Sequence, residues 1–121
     1  MTQGGVPNAA LAKALASDSI ALSISVYLEI AGVLNRPRLA RFIDADRRDD
    51  VLRTLYAAGR WFEPLEPVTD CRDAKDNKYL ELLLASDAPI LVSGDDDLLT
   101  LDPWRGRRIL RPADYLIGLL R

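Results

Sequence analysis

Residues 71–97 read CRDAKDNKYLELLLASDAPILVSGDDD, an apolar run with carboxylates gathered at both ends, and few architectures accommodate that pattern. Leu80, Leu83 and Leu84 recur at i, i+3 and i+4, the spacing of an amphipathic helix, which places a helix start near Asp73. Ser86, Asp87 and Pro89 punctuate its end. Ile90, Leu91, Val92 and Ser93 then form a short apolar run ended by Gly94, as in a buried parallel strand. Asp95, Asp96 and Asp97 follow at once. In open α/β sheets the residues just beyond a strand's carboxyl end line the ligand crevice, so the acids stand where chemistry is usually found.

The chain around this stretch alternates strand and helix signals. Asn8 can cap a helix over 9–16, and 20–24 reads as an aliphatic strand. Ser25 is a natural cap for a helix over 26–34, in which Glu29 lies one turn from Val26 and Val33 and so beside an apolar stripe. Helical stretches are expected over 39–45 and 47–58, the latter stopping at Gly59. Trp61, Phe62 and Leu65, interrupted by Pro64 and Pro67, suggest a short edge strand. After Asp97 come a helical turn over 98–101, a turn over 103–106, a last strand over 107–110 and a closing helix over 112–120. Alternation of this kind predicts a parallel sheet with helices on both faces.

At 121 residues the chain is expected to be one domain that buries most of its apolar surface without disulfides or a structural metal. The formal charge of −2 provides no global field for a polyanion, so nucleic-acid contacts would need local basic patches. One cysteine and no histidine exclude an internal disulfide and a zinc cluster. The first residues lack a leader pattern and no run approaches a membrane span, so a cytoplasmic protein with no membrane association is expected.

Carboxylates sharing a crevice repel one another, and a divalent cation relieves that repulsion most completely. Hard oxygen donors without histidine or cysteine favour Mg²⁺ or Mn²⁺, whose chemistry with phosphate is phosphoester hydrolysis. A carboxylate would then serve as general base. Structural roles compete with this reading. Asp73 can be a helix cap, Glu29 a surface acid, and one of Asp95, Asp96 and Asp97 the cap of a solvated turn. Arg36, Arg38, Arg41, Arg47 and Arg48 could grip a phosphate backbone, yet Asp44, Asp46, Asp49 and Asp50 interleave them, so an exposed salt-bridged helix pair is expected.

Three segments occur together: Leu28-Glu29 with Val33-Leu34-Asn35-Arg36-Pro37-Arg38-Leu39, then Cys71-Arg72-Asp73 through Asp76-Asn77-Lys78-Tyr79-Leu80, then Leu91-Val92-Ser93-Gly94-Asp95 with Asp97-Leu98-Leu99. In this order they resemble the PIN-domain family, in particular its ribonuclease toxins of toxin–antitoxin systems, from about residue 7 to 120. The resemblance implies a three-layer α/β/α sandwich and an endoribonuclease dependent on Mg²⁺ or Mn²⁺. It also implies an RNA substrate, a cognate antitoxin protein as partner, and homodimers. Glu29 falls on the family's helix acid, Asp76 on the acid opening the next matched helix, and Asp95 and Asp97 on the acids after the fourth strand. Asp73 matches a position not counted as a ligand. The family begins with a strand ending in an aspartate, whereas this chain starts after that point, with no Asp before Asp18. The expectation is a misassigned start or a decayed or partner-completed form, and the alternative function is a catalytically inactive binding module. Strands 20–24 and 90–93 would flank the missing one. They should therefore pair directly or drive dimerisation, with Leu116, Leu119 and Leu120 adding an apolar face.

Overall fold

The computed structural model describes Ala14 and residues 18–117. The expected helix over 9–16, Ala14 apart, and the end of the closing helix lie outside them. Among the described residues, four short strands form two parallel pairs. Strand β1 (Ala21–Leu22) pairs with β2 (Arg60–Trp61), Ala21 opposite Arg60 and Leu22 opposite Trp61. Strand β3 (Ile90–Val92) pairs with β4 (Arg108–Leu110) over three positions, Ile90 opposite Arg108. Each ladder extends past its named strands, with Arg60 N donating to Ile20 O (2.7 Å), Phe62 N to Leu22 O (2.8 Å) and Ser93 N to Leu110 O (2.9 Å). The α/β class expected from the alternation is therefore present. Direct pairing of the 20–24 and 90–93 strands is not: among the described residues each takes a different partner.

Parallel strands require crossovers, and helices supply them. Between β1 and β2 lie α1 (Ile24–Leu34), α2 (Pro37–Ala40) and α3 (Ala45–Ala58). After β2 the chain runs through a loop and a 3₁₀ turn (Ala74–Asp76) into α4 (Asn77–Ser86). A short α5 (Asp96–Leu99) joins β3 to β4, and α6 (Pro112–Leu116) follows. The cap of α1 is Ser23, not Ser25: its side chain accepts the Val26 N–H while its backbone is extended, so the helix begins two residues earlier than expected. Asp44 caps α3 by accepting the Arg47 N–H, which separates it from α2. The anticipated salt-bridged pair between these helices is also corrected. Among the described residues, Arg38, Arg41, Arg47 and Arg48 form no ion pair, and Asp50 is held by Arg53 instead.

Two-stranded sheets are marginal on their own, so the helices must cover them. Helix α4 does so for both pairs at once. Leu80 and Leu83, three residues apart, enter a core with Val68, Cys71, Leu98, Trp104 and Ile109 beneath β3 and β4. Leu82, on the neighbouring stripe, enters a second core with Leu22, Val26 and Leu55 beneath β1 and β2. Tyr79 packs against both. Tyr27, Tyr56 and Trp61 pack in edge-on and tilted contacts with centroid separations of 5.1–5.8 Å, joining α1, α3 and β2. Leu110 and Tyr115 form a smaller cluster under α6, where the Tyr115 hydroxyl also donates to Asp18.

Gly59, the cap of α3, lies where a Cβ would collide with Leu22 Cδ1 and come within 2.8 Å of the Leu55 carbonyl oxygen. Its φ of −67° is ordinary, so close approach rather than backbone freedom requires glycine there. Gly59→Ala is expected to lower stability by about 1–3 kcal/mol through overpacking. Leu80→Ala, at a fully buried position, should cost about 2–5 kcal/mol. Urea unfolding followed by circular dichroism measures both, and wild-type midpoints would contradict the shared-helix packing.

Candidate active site

The acids are placed by three different local devices. Asp76 ends the 3₁₀ turn whose cap is Asp73, the Asp73 carboxylate accepting the Lys75 N–H at 3.2 Å. Asp95 caps α5: its Oδ1 accepts the Asp97 N–H at 2.9 Å, and its own N–H donates to Ser93 Oγ at 3.0 Å. Thus one of the three consecutive acids is the cap, as anticipated, and the capping contacts orient its carboxylate. Asp96 faces outward and pairs with Arg111 at 3.1 Å. Glu29 sits in the middle of α1, half-buried.

The tertiary structure sets Asp76 against Asp95. Burial, then the Asp95 carboxylate, to which protonated Asp76 donates a hydrogen bond, and then the charge of Asp73 push Asp76 up from 3.8 to about 6, against the opposing charge of Lys75. Asp76 Oδ2 is buried and has no hydrogen-bond partner. An orphaned acceptor next to a second carboxylate is a site that a proton or a cation would complete.

Glu29 has a different neighbour. Lys78 Nζ, from the second residue of α4, donates to Glu29 Oε1 at 2.9 Å, and Arg36 approaches its other oxygen at 4.0 Å. The Lys78 hydrogen bond and charge hold the Glu29 carboxyl below its usual range. Glu29, Asp76 and Asp95 nevertheless act on common ground: after burial, their charges are what push the Tyr79 hydroxyl up to about 12. Asp97 is half-buried, and its carbonyl accepts from Thr100 Oγ1 (3.2 Å) and from Cys71 Sγ (3.7 Å). Burial, aided by the charges of Asp76, Asp97 and Asp95, raises the Cys71 thiol, keeping it neutral and unreactive.

Of the four expected residues, Asp76 and Asp95 are in direct apposition, while the Glu29 carboxylate is held by Lys78. Among the described residues, no group of three or more acidic, cysteine or histidine side chains is close enough to hold a metal ion. The donor chemistry of the Asp76–Asp95 pair fits a hard divalent cation. Sequence reasoning missed Lys78, whose role depends on a partner 49 residues away, and Asn77. The latter is buried, with Oδ1 accepting the Cys71 N–H (2.8 Å) and Nδ2 donating to Ala74 O (3.3 Å), so it anchors the turn that presents Asp76. A carboxamide at the first residue of the helix, directly after Asp76, was the available signal.

Because the folded pKa of Asp76 is raised, its contribution to stability is present below about pH 4 and is lost as pH rises through about 6. Asp76→Asn should consequently stabilise the protein at pH 7 by about 1–2 kcal/mol, allowing for solvent screening, and leave it unchanged at pH 4. Metal-free thermal melts at the two pH values test this. Equal stability of variant and wild type at pH 7 would contradict the buried apposition.

A family model described as PIN domain matches residues 6–97, more than half of the chain. No curated protein and no solved structure matches the chain significantly. Among the described residues, no helix is long and apolar enough to cross a membrane. The ordered match over most of the sequence, the parallel strand pairs and the paired acids at the strand end agree, and the chain belongs to the PIN domain family.

Proposed function

We propose that this protein is a Mg²⁺- or Mn²⁺-dependent endoribonuclease, acting as the toxin of a toxin–antitoxin pair and restrained by a cognate antitoxin protein. Family membership supports nuclease chemistry in general; PIN domains generally use divalent metal ions, and PIN nucleases in general bind RNA. The single observation that carries the reading here is the buried, unpartnered Asp76 oxygen beside Asp95. Asp76 and Asp95 would hold the ion, with Asp97 and Glu29 completing the acid cluster. When bound, such an ion activates water and neutralises charge on the scissile phosphate. Asp95 is pre-oriented by its capping hydrogen bonds, the ionised Asp76 carboxylate would offer its unpartnered oxygen to the cation, and the Lys78 hydrogen bond would limit how far Glu29 is free to take part. Homodimers, proposed on the same resemblance, would be read from light scattering after gel filtration.

Purified protein should cleave RNA with Mn²⁺, lose activity in EDTA, and lose at least about 100-fold with Asp76→Asn, as expected when an essential metal-holding group is removed. Cleavage that persists under both treatments would assign the activity elsewhere. Mn²⁺ affinity should also fall roughly tenfold between pH 7 and pH 5 as Asp76 takes up its proton. A pH-independent affinity by titration calorimetry would place the ion away from Asp76.

A second reading, a catalytically silent binding module, is favoured by one observation: the Lys78 ammonium occupies Glu29 at 2.9 Å, where an ion would otherwise draw that carboxylate. The same calorimetry separates the two. An Mn²⁺ site dependent on Asp76 and tighter than the millimolar range rejects the silent module, and its absence supports it.

A further inference from the structure

We propose that the hollow between the end of α1 and α2 is a docking groove for single-stranded RNA leading to the acid pair; this rests on the ribonuclease reading above. The hollow has a volume of about 390 Å³ and is lined by Val33, Arg36, Arg38, Leu39, Arg41 and Phe42. Its three arginines are exposed. Only Arg36 approaches a carboxylate among the described residues, at 4.0 Å, and an exposed pair at that distance neutralises little. In a chain with a net charge of −2, three largely uncompensated guanidiniums around one hollow are a local exception. A neighbouring hollow, lined by Asp44, Asp46 and Asp50 with Arg47, has the opposite character.

The floor decides between polyanions. Phe42 is 57% exposed, with the Arg41 guanidinium 5.7 Å from its ring centroid, and Val33 and Leu39 supply aliphatic surface beside it. An acidic protein segment would satisfy the arginines and leave this floor wet. A single strand offers both phosphates and unpaired bases, which suits guanidiniums over aromatic and apolar surface. A duplex keeps its bases stacked inside and cannot use the floor. The hollow adjoins the acids: Arg36 approaches Glu29 at 4.0 Å, Glu29 bonds Lys78, and Lys78 lies two residues from Asp76 at the start of α4.

The test is fluorescence anisotropy of a short labelled single-stranded RNA in EDTA, where no metal-dependent cleavage occurs, at several salt concentrations. Arg38→Ala and Arg41→Ala should each weaken binding and each reduce the slope of log K against log salt by about 0.7. Phe42→Ala should weaken binding roughly tenfold without changing that slope. The same sequence as a duplex should bind less tightly, and Arg53→Ala, on α3, should match wild type. The variants lie on exposed residues, and circular dichroism melts confirm that each is folded. If the Arg38/Arg41 double variant retains wild-type affinity and slope, the groove is overturned. If a polyglutamate peptide displaces RNA efficiently and Phe42→Ala has no effect, an acidic protein segment is the occupant and the proposal fails. Parallel Mn²⁺ cleavage assays on wild type keep the two readings apart. Cleavage with arginine-independent binding removes the groove alone, and arginine-dependent binding without cleavage removes the ribonuclease alone. Absence of both removes both.

Discussion

Helix α4 has to serve two small sheets that do not touch each other through hydrogen bonds. Neither pair is large enough to stand alone, so the division of labour on this helix carries the domain: Leu80 and Leu83 serve β3 and β4, Leu82 serves β1 and β2, and Tyr79 touches both cores. Because residues three apart share a helical face, neighbouring stripes diverge by about 100° per residue and can address two cores at once. The acid site is a by-product of the same arrangement. The helix start that has to lie between the sheets is the place where Asp76, Asn77 and Lys78 project.

Polar side chains fix the backbone that apolar packing only approximates. Asn77 holds the Cys71 amide and Glu81 holds the Val68 amide, at 2.8 and 3.0 Å, so α4 ties down the loop that crosses its own core. At the far side Asp102 receives Arg108 through two hydrogen bonds and the Ile109 amide through a third, fixing the entry of β4; the Arg108 hydrogen bond chiefly holds its carboxyl below the usual range. These satisfied carboxylates differ from Asp76, whose inner oxygen has no donor. A carboxylate with donors stabilises a fold, whereas one left without them stores repulsion that a ligand can release.

Charge is sorted across the surface in the same spirit. Interleaved arginines and aspartates in 36–50 largely separate in space: Arg36, Arg38 and Arg41 gather around one hollow, and Asp44, Asp46 and Asp50, with Arg47 among them, around another. The capping role of Asp44 is the local cause, since using that carboxylate on the Arg47 amide starts a new helix and turns the acidic residues away from the basic ones.

The class of fold and the position of the acids were legible in the linear chain. Hydrophobic period, cap residues and strand-ending glycine are local, and they located α4, β3 and the carboxylates beyond it to within a few residues. The start of α1 was misjudged because Ser23 and Ser25 offer the same capping chemistry, and only packing of the buried Ser23 chose between them. Which acids meet was not legible. Asp76 reaches Asp95 across 19 positions and Glu29 meets Lys78 across 49, and no periodicity encodes such distances. The sequence by itself determined that carboxylates would crowd a strand end. The tertiary structure decided which one would be left without a donor, because desolvation and proximity exist only once the chain has closed on itself.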